Sequence, residues 1–145
     1  MLWIELTNDV YRCHDYDLLE GLVKDANLTT LNDFSIRRWL DDGLNLALMS
    51  SNGDCALFEY LGNNVYSGHY LFGTRGKEAL ESAKDFLKVM FYGYLTHVIV
   101  GFVPIEKKHV HLFSRWLGFK DEGETDTLFG KNRLFTLTRK DFING

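Results

Sequence analysis

A glycine-rich segment, Gly73-Thr74-Arg75-Gly76-Lys77, stands directly before the clearest amphipathic pattern in the chain. Its chemistry suits a diphosphate, because a helix N-terminus presents unpaired backbone N–H groups and a partial positive charge. The glycines would let the backbone approach closely, and Arg75 and Lys77 would add positive charge. The alternative is an ordinary strand-to-helix turn with solvated charges, and the residues themselves leave both interpretations open.

The histidines and cysteines do not form a metal-binding pattern. His109 and His111 are two residues apart in a predicted helix and therefore point away from each other, which excludes a two-histidine site of the i, i+4 kind. Cys13 and Cys55 lack the spacing of a disulfide scaffold or a zinc knuckle. We therefore expect no metal and a reducing, cytoplasmic location. The acidic N-terminus also lacks the basic region of a signal peptide.

The composition predicts a single domain over residues 1–145. The chain has one proline, 46% hydrophobic and 25% charged residues, as globular domains do. Residues 1–72 hold 4 basic and 11 acidic residues, and residues 73–145 hold 12 and 9. Nucleic-acid binding needs a concentrated basic face, so no nucleic-acid partner is expected. Polar residues interrupt the apolar stretch 86–103, so no membrane partner is expected either.

Hydrophobic periodicity orders the elements as β-α-α-β-β-β-α-β-α-β-β. Asn52-Gly53 predicts a type I′ hairpin turn in a three-stranded meander. A helical crossover joins strands 65–72 and 98–103, which are therefore expected to run parallel. The predicted strands are residues 2–6, 44–49, 55–61, 65–72, 98–103, 119–124 and 133–138. The predicted helices are residues 16–24, 31–40 (capped by Thr30 or Asn32), 76–92 and 105–117.

This order resembles the GNAT superfamily of acyl-CoA-dependent N-acyltransferases. The resemblance rests on three segments: Arg75-Gly76-Lys77-Glu78-Ala79 at a helix start, Leu117-Gly118-Phe119 at a helix end, and the terminal run 134–142. It covers nearly the whole chain and extends to small phage-encoded GNAT-like proteins. It implies an α/β (α+β) GNAT-like fold with a mixed, mostly antiparallel sheet of six to seven strands and about four helices.

The resemblance also implies an acetyl-CoA cosubstrate. The cofactor-binding positions would be Leu71, Phe72, Gly73, Arg75, Gly76, Lys77, Glu78 and Ala79. The family motif reads Arg/Gln-x-x-Gly-x-Gly/Ala, so this chain places Glu78 and Leu80 where small residues belong. The Glu78 carboxylate would repel a diphosphate, and the Leu80 side chain would narrow the path by which the cofactor approaches the backbone.

Acyl transfer to an amine needs a base for the amine proton and a proton donor for the leaving thiolate. Glu59 and His69, on neighbouring meander strands, are the candidate bases. Strand alternation puts His69 on the face opposite Tyr66 and Tyr70. The family's acid, a tyrosine on the fourth helix, falls on Ser114 here. The alternatives are an ordinary strand residue at the surface or core edge for His69 and an ordinary helix-flank serine for Ser114.

The acceptor is expected to be an amine held by the acidic N-terminal half. Asp41 and Asp42 are the candidate substrate-binding residues, beneath a lid of the first two helices, although solvation at a helix end explains them equally well. Two functions remain open. One is N-acetyl transfer from acetyl-CoA, and the other is a non-catalytic GNAT-like protein-interaction module, for example a phage accessory or structural protein.

Overall fold

A computed structural model describes residues 5–25, 35–128 and 130–145 of the chain. Seven strands in this described part form one sheet in the order β1-β2-β3-β4-β5-β7-β6. The strands are β1 (Val10–Arg12), β2 (Leu46–Ser50), β3 (Cys55–Gly62), β4 (Val65–Leu71), β5 (Val98–Pro104), β6 (Lys120–Thr127) and β7 (Gly130–Thr138). The helices are α1 (Tyr16–Asp25), α2 (Ile36–Asp41), α3 (Gly76–Lys88), α4 (Lys108–Trp116) and α5 (Arg139–Asn144), with a π-helical turn at Val89–Gly93 after α3.

The sheet confirms the predicted architecture. Its neighbouring strands are antiparallel, with the exception of β4 and β5, which run parallel as the α3 crossover requires. The parallel pairing is short: it joins residues 65–67 to residues 98–100. Past this point the two strands continue without paired register, and they open a wedge in the middle of the sheet.

The N-terminal region differs from its prediction. The first strand described is β1 rather than residues 2–6, of which residues 2–4 lie outside the described part. Helix α2 begins at Ile36, and Ser35 caps it by accepting a hydrogen bond from the Arg38 N–H. The predicted caps Thr30 and Asn32 also lie outside the described residues.

The type I′ prediction for the β2–β3 turn is wrong, and the type I′ turn is the one between β3 and β4. Asn52 keeps a negative φ while Gly53 has φ +93°, so the β2–β3 turn is not of type I′. Asn63 and Asn64 both have positive φ, at 53° and 60°, which is the type I′ signature. The first turn departs because the Asn52 side chain is used elsewhere: it accepts from the Asp54 N–H and donates to Ser82 of α3.

Strand alternation divides the core between the two faces of the sheet. One face of the meander packs against α3 and α4, and the other packs against α1 and α2. The first cluster includes Leu46, Leu48, Phe58, Tyr66, Phe86, Met90, Ile99, Leu117 and Phe135. The second includes Leu19, Val23, Ile36, Leu40, Ala47, Met49, Cys55, Leu57 and Leu71. Tyr70 stacks near Phe86 of α3, whereas His69 pairs with Leu57, so these neighbours face opposite sides as predicted.

The C-terminal part of the chain adds one element that the sequence pattern missed. Thr138 accepts from the Asp141 N–H and caps the short helix α5. Phe142 of α5 then stacks on Phe91, with ring centroids 4.9 Å apart. The predicted third helix is also divided, because α3 ends at Lys88 and continues as the π-helical turn.

Candidate active site

The wedge between β4 and β5 holds a cavity of about 550 Å³. Residues from both strands line it, and α4 closes one side. It also crosses the sheet. Ile99 lies on the face packed by α3 and α4, whereas His69 and Phe102 lie on the opposite face. A ligand in this cavity therefore reaches from the α3 side to the α1–α2 side.

The cavity walls are mainly aromatic and aliphatic. Phe72 stacks on Tyr70 with a centroid separation of 5.3 Å and meets Phe113 of α4 edge-on at 5.4 Å. Leu112 and Trp116, one helical turn apart on α4, add exposed apolar surface. Such walls suit an extended ligand with a largely apolar body.

The cavity has basic residues in its lining, and its edge beside the N-terminus of α3, at Arg75 and Gly76, is called its mouth here. Lys107 and His109, at the start of α4, also line the cavity. Arg75 is the N-cap residue of α3, and its own side chain makes no capping hydrogen bond within the described chain. The amides of the first helical residues precede the first intrahelical bond, so their N–H groups are the donors that an anion at the mouth would meet.

A buried carboxylate that sequence reasoning missed holds the loop before α3. Asp54 is fully buried, and its Oδ1 accepts from the amides of Gly73 at 2.7 Å and Thr74 at 2.9 Å. The Thr74 hydroxyl donates to Oδ2. Burial alone would raise the pKa of Asp54, but the hydrogen bonds from Thr74, Ser82 and Gly73 outweigh it and lower that pKa. Asp54 is the last residue of the turn that begins at Ser51. Its position in that turn is the feature by which the sequence could have pointed to it.

The structure divides the predicted cofactor-binding residues into two groups. Phe72, Arg75, Gly76 and Ala79 line the cavity, as Thr74 does. The remaining four lie elsewhere among the described residues: Leu71 is in the second core cluster, Gly73 is bound to Asp54, Lys77 forms a 3.9 Å ion pair with Glu81, and Glu78 is exposed in the first turn of α3.

His69 and Glu59 come together on the α1–α2 face. In the β3–β4 register Leu57 is opposite His69 and Glu59 is opposite Ser67, so the two candidates are diagonal neighbours. His69 lines the cavity. His69 is exposed at the cavity wall, and the groups around its imidazole partly desolvate it and lower its pKa below the ordinary value of 6.5, while the Glu59 carboxylate acts in the opposite direction. His69 is therefore neutral at neutral pH and can accept a proton.

Trp39 of α2 connects the first two helices to this pair. Its indole Nε1–H donates to Glu59 Oε2 at 3.2 Å. Trp39 also accepts, through its carbonyl oxygen, a 2.8 Å hydrogen bond from the side chain of Asn45, which is buried. These bonds fix α2 above the strand that carries Glu59, on the side where the acceptor is expected.

Ser114 lines the cavity, but its hydroxyl already has a partner. Its Oγ–H donates to the Val110 carbonyl oxygen at 2.9 Å, one turn earlier in α4. The oxygen can still accept a hydrogen bond from a ligand. In this conformation the proton is not available for a leaving thiolate, so the geometry favours Ser114 as a contact rather than as an acid.

Asp41 and Asp42 lie at the C-terminal end of α2, where both are exposed. Asp42 Oδ1 accepts from the Leu44 N–H at 3.2 Å. Neither residue is among those that line the cavity in the described structure. They share the α1–α2 side of the sheet with Glu59 and His69.

A second cavity of about 420 Å³ borders a different face of α4 and is lined by Arg115, Arg133 and Glu124, among others. Its arginines already bind a carboxylate. Arg133 Nε lies 2.7 Å and Arg115 Nη2 lies 2.6 Å from Asp121 Oδ2. The Arg133 hydrogen bond, helped by Arg115, holds the pKa of Asp121 well below its usual range. These charges are satisfied within the protein, so the first cavity is the better candidate.

Metal ligands do not gather anywhere in the part of the chain that the structure describes. Residues 5–25, 35–128 and 130–145 contain no cluster of three or more histidine, cysteine or acidic side chains arranged to hold a metal ion. No helix among these same residues has the length and apolar character needed to cross a membrane.

The fold that contains the β4–β5 wedge and the helix beside it is shared with GNAT acetyltransferases, as comparison with solved structures shows. Neither a protein-family model nor a curated protein matches the sequence of this chain. Solved structures do match its coordinates. A mutant of spermidine N-acetyltransferase SpeG from Vibrio cholerae has a TM-score of 0.76 at 10% identity, over 94% of this chain and 98% of that one.

Two further solved structures support the same fold. A GNAT-family acetyltransferase from Bacillus anthracis has a TM-score of 0.63 at 13% identity and covers 93% of this chain and 98% of its own. Apo FdhC, described as a nucleotide-linked sugar GNAT, has a TM-score of 0.67 at 15% identity, over 99% of this chain and 94% of its own. At such low identity the shared property is the fold, so the activity has to be argued from this chain's own residues.

Proposed function

We propose that this protein is an acyl-CoA-dependent N-acetyltransferase that transfers an acetyl group from acetyl-CoA to an amine. One observation carries the proposal: the β4–β5 cavity combines a basic mouth at the start of α3 with apolar walls. Acetyl-CoA has the same two parts, a diphosphate and a long neutral arm. The residues present therefore fit it, although Glu78 and Leu80 depart from the family pattern.

Different parts of the cavity would bind different parts of acetyl-CoA. Arg75, Lys107 and the first amides of α3 would hold the diphosphate at the mouth, where charge-assisted hydrogen bonds contribute most. Phe72 and Phe113 would flank the neutral arm and exclude water from it. When bound, acetyl-CoA supplies an activated acetyl group as a thioester.

The proton-transfer role falls to His69. It lies on the α1–α2 side of the cavity and its lowered pKa keeps it neutral. It would take the proton that the amine loses as it attacks, and the Glu59 carboxylate would stabilise the resulting imidazolium. Trp39, by holding Glu59, would keep that carboxylate directed at this side.

Three acidic residues on the α1–α2 side of the sheet, outside the cavity lining, favour a cationic acceptor. They are Glu59, Asp41 and Asp42. One of the similar structures is a spermidine acetyltransferase, so spermidine is the first acceptor to test. Asp41 and Asp42 would bind the distal ammonium groups of such a chain. The single domain, the cytoplasmic location and the phage origin stay predictions from the sequence.

The experiment that tests this function measures acetyl-CoA binding. Titration calorimetry should show saturable binding, and acetyl-CoA at a hundredfold excess over its Kd should stabilise the fold by about 2.7 kcal/mol, visible as a rise of several degrees in Tm. Release of free CoA thiol in the presence of spermidine then tests turnover. A folded sample that gives neither heat nor a Tm shift would support the non-catalytic alternative.

We predict that Glu78→Gln tightens acetyl-CoA binding about two- to fivefold at low salt, because it removes a negative charge from the first turn of α3, beside the diphosphate. Calorimetry at low and high ionic strength checks this, and the gain should fade as salt is added. Glu20→Gln in α1, on the other side of the sheet, is the matched control and should leave affinity unchanged. Weaker binding by Glu78→Gln would contradict a diphosphate at this position.

A further inference from the structure

The loop that leads into α3 is fixed from below by Asp54, which comes from the β2–β3 turn. Both carboxylate oxygens are used: Oδ1 accepts from the Gly73 and Thr74 amides and Oδ2 from the Thr74 hydroxyl. Asn52, two residues earlier, donates to the Ser82 hydroxyl at 2.8 Å. The turn therefore contacts both the loop, through Asp54, and α3, through Asn52.

This arrangement determines which amides are left for a ligand. The N–H groups of Gly73 and Thr74 point at Asp54 and cannot also point at the cavity. The chain then passes through an extended Arg75, with φ −136° and ψ 164°, and enters the helix at Gly76 with φ +60°. Beyond Thr74, the amides that precede the first intrahelical bond are those of the N-cap residue Arg75 and of Gly76, Lys77 and Glu78 in the first turn of α3.

We propose that Asp54 is a positioning residue for the acyl-CoA site: by binding the Gly73 and Thr74 amides it sets the backbone so that the first amides of α3 face the diphosphate. The inference rests on the proposed function. Asp54 is not among the residues that line the cavity in the described structure. It acts through the loop, and its full burial separates its charge from the solvent-exposed mouth.

Three variants separate this role from general stabilisation. Asp54→Ala removes every acceptor, so the Kd of acetyl-CoA should rise tenfold or more. Asp54→Asn keeps one oxygen for the two amides and places an NH₂ group against hydroxyls that can rotate to accept, so affinity should stay within about threefold of wild type. Thr74→Val removes only the hydroxyl bond, and a two- to fivefold loss is expected. This milder change serves if Asp54→Ala does not fold.

Asp85→Ala is the matched control. Asp85 is also fully buried, lies in α3, and accepts from the amides of Thr7 at 2.8 Å and Asn8 at 2.9 Å. Its loss should lower Tm much as the loss of Asp54 does, while the Kd of acetyl-CoA stays within twofold. In the absence of ligand, hydrogen–deuterium exchange of residues 73–79 should accelerate in Asp54→Ala and not in Asp85→Ala.

Calorimetry with acetyl-CoA, together with KM and kcat from the thiol-release assay, distinguishes a positioning role from a structural one. A positioning role raises the Kd and KM of acetyl-CoA and leaves the KM of the amine unchanged. Two results would overturn the inference. One is that Asp54→Ala and Thr74→Val both bind acetyl-CoA as tightly as wild type does. The other is that Asp85→Ala loses as much affinity for acetyl-CoA as Asp54→Ala. If the folded wild type binds no acetyl-CoA, the proposed function fails and the inference fails with it.

Discussion

Gly76→Val should lower the affinity for acetyl-CoA at least a hundredfold. Gly76 opens α3 with φ +60°, a conformation that costs a β-branched residue about 1–3 kcal/mol. The backbone would rotate to relieve that strain, and the amides of Gly76 and its neighbours would leave the diphosphate. Two charge-assisted hydrogen bonds of about 1.5–3 kcal/mol each would then be lost. Titration calorimetry measures the loss directly.

Gly62→Val is the control for backbone strain alone. Gly62 has φ +94° as the last residue of β3, and an added Cβ there meets nothing within 4 Å, as at Gly76. Both variants should lose similar Tm, but only Gly76→Val should lose acetyl-CoA. Equal affinities of the two variants would mean that the start of α3 does not bind the ligand. Proline at position 76 is a poorer test, because its φ near −65° would also disrupt the helix.

The elements that position the cavity could be predicted because they are set by local pattern. The β-branched run of β5 and the amphipathic face of α3 specify a strand and a helix in sequence order. The crossover rule then makes β4 and β5 parallel. The wedge itself was not predicted, because no residue pattern indicates that pairing stops after Ser67 and Val100.

The elements that the sequence missed depend on distant contacts. Strand β1 has three residues, and the segment before it is held by Asp85, 77 and 78 residues away in sequence. Helix α5 is stabilised by the stacking of Phe142 on Phe91. The type of the β2–β3 turn follows from the bond between Asn52 and Ser82. Secondary-structure propensity is evaluated over a window of neighbouring residues, so it cannot detect partners that are distant in sequence.

In the candidate site, too, the residues set by local pattern could be predicted and those set by distant contacts could not. Three of the predicted cofactor-binding residues, Phe72, Arg75 and Gly76, line the cavity. Arg75 and Gly76 follow from helix-start chemistry, and Phe72 follows from the resemblance alone. Sequence reasoning could not find Asp54, which looks like an ordinary turn residue until the structure places Gly73 and Thr74 against it. It also could not show that the Ser114 hydroxyl is bound to its own helix. Which donors and acceptors are already used is a tertiary property.

His69→Gln should lower kcat about a hundredfold, the contribution of a general base, while the Kd of acetyl-CoA stays unchanged. In wild type, activity should fall as pH drops through the pKa of His69, because the protonated ring cannot accept the amine proton. Desolvation puts that pKa below 6.5, so the acid limb of the kcat/KM profile should have its midpoint below that pH. Thiol release with spermidine, or with another amine that supports turnover, gives the profile.

Glu59→Gln distinguishes the two candidate bases. The Glu59 carboxylate raises the pKa of His69 against the larger effect of desolvation. Removing that charge should therefore move the acid limb to still lower pH and leave activity at neutral pH within about tenfold of wild type. An NMR titration of the His69 ring in both proteins gives the same shift without any acceptor. If Glu59→Gln is instead as inactive as His69→Gln at every pH and the ring pKa does not move, Glu59 is the base, and His69 only lines the cavity.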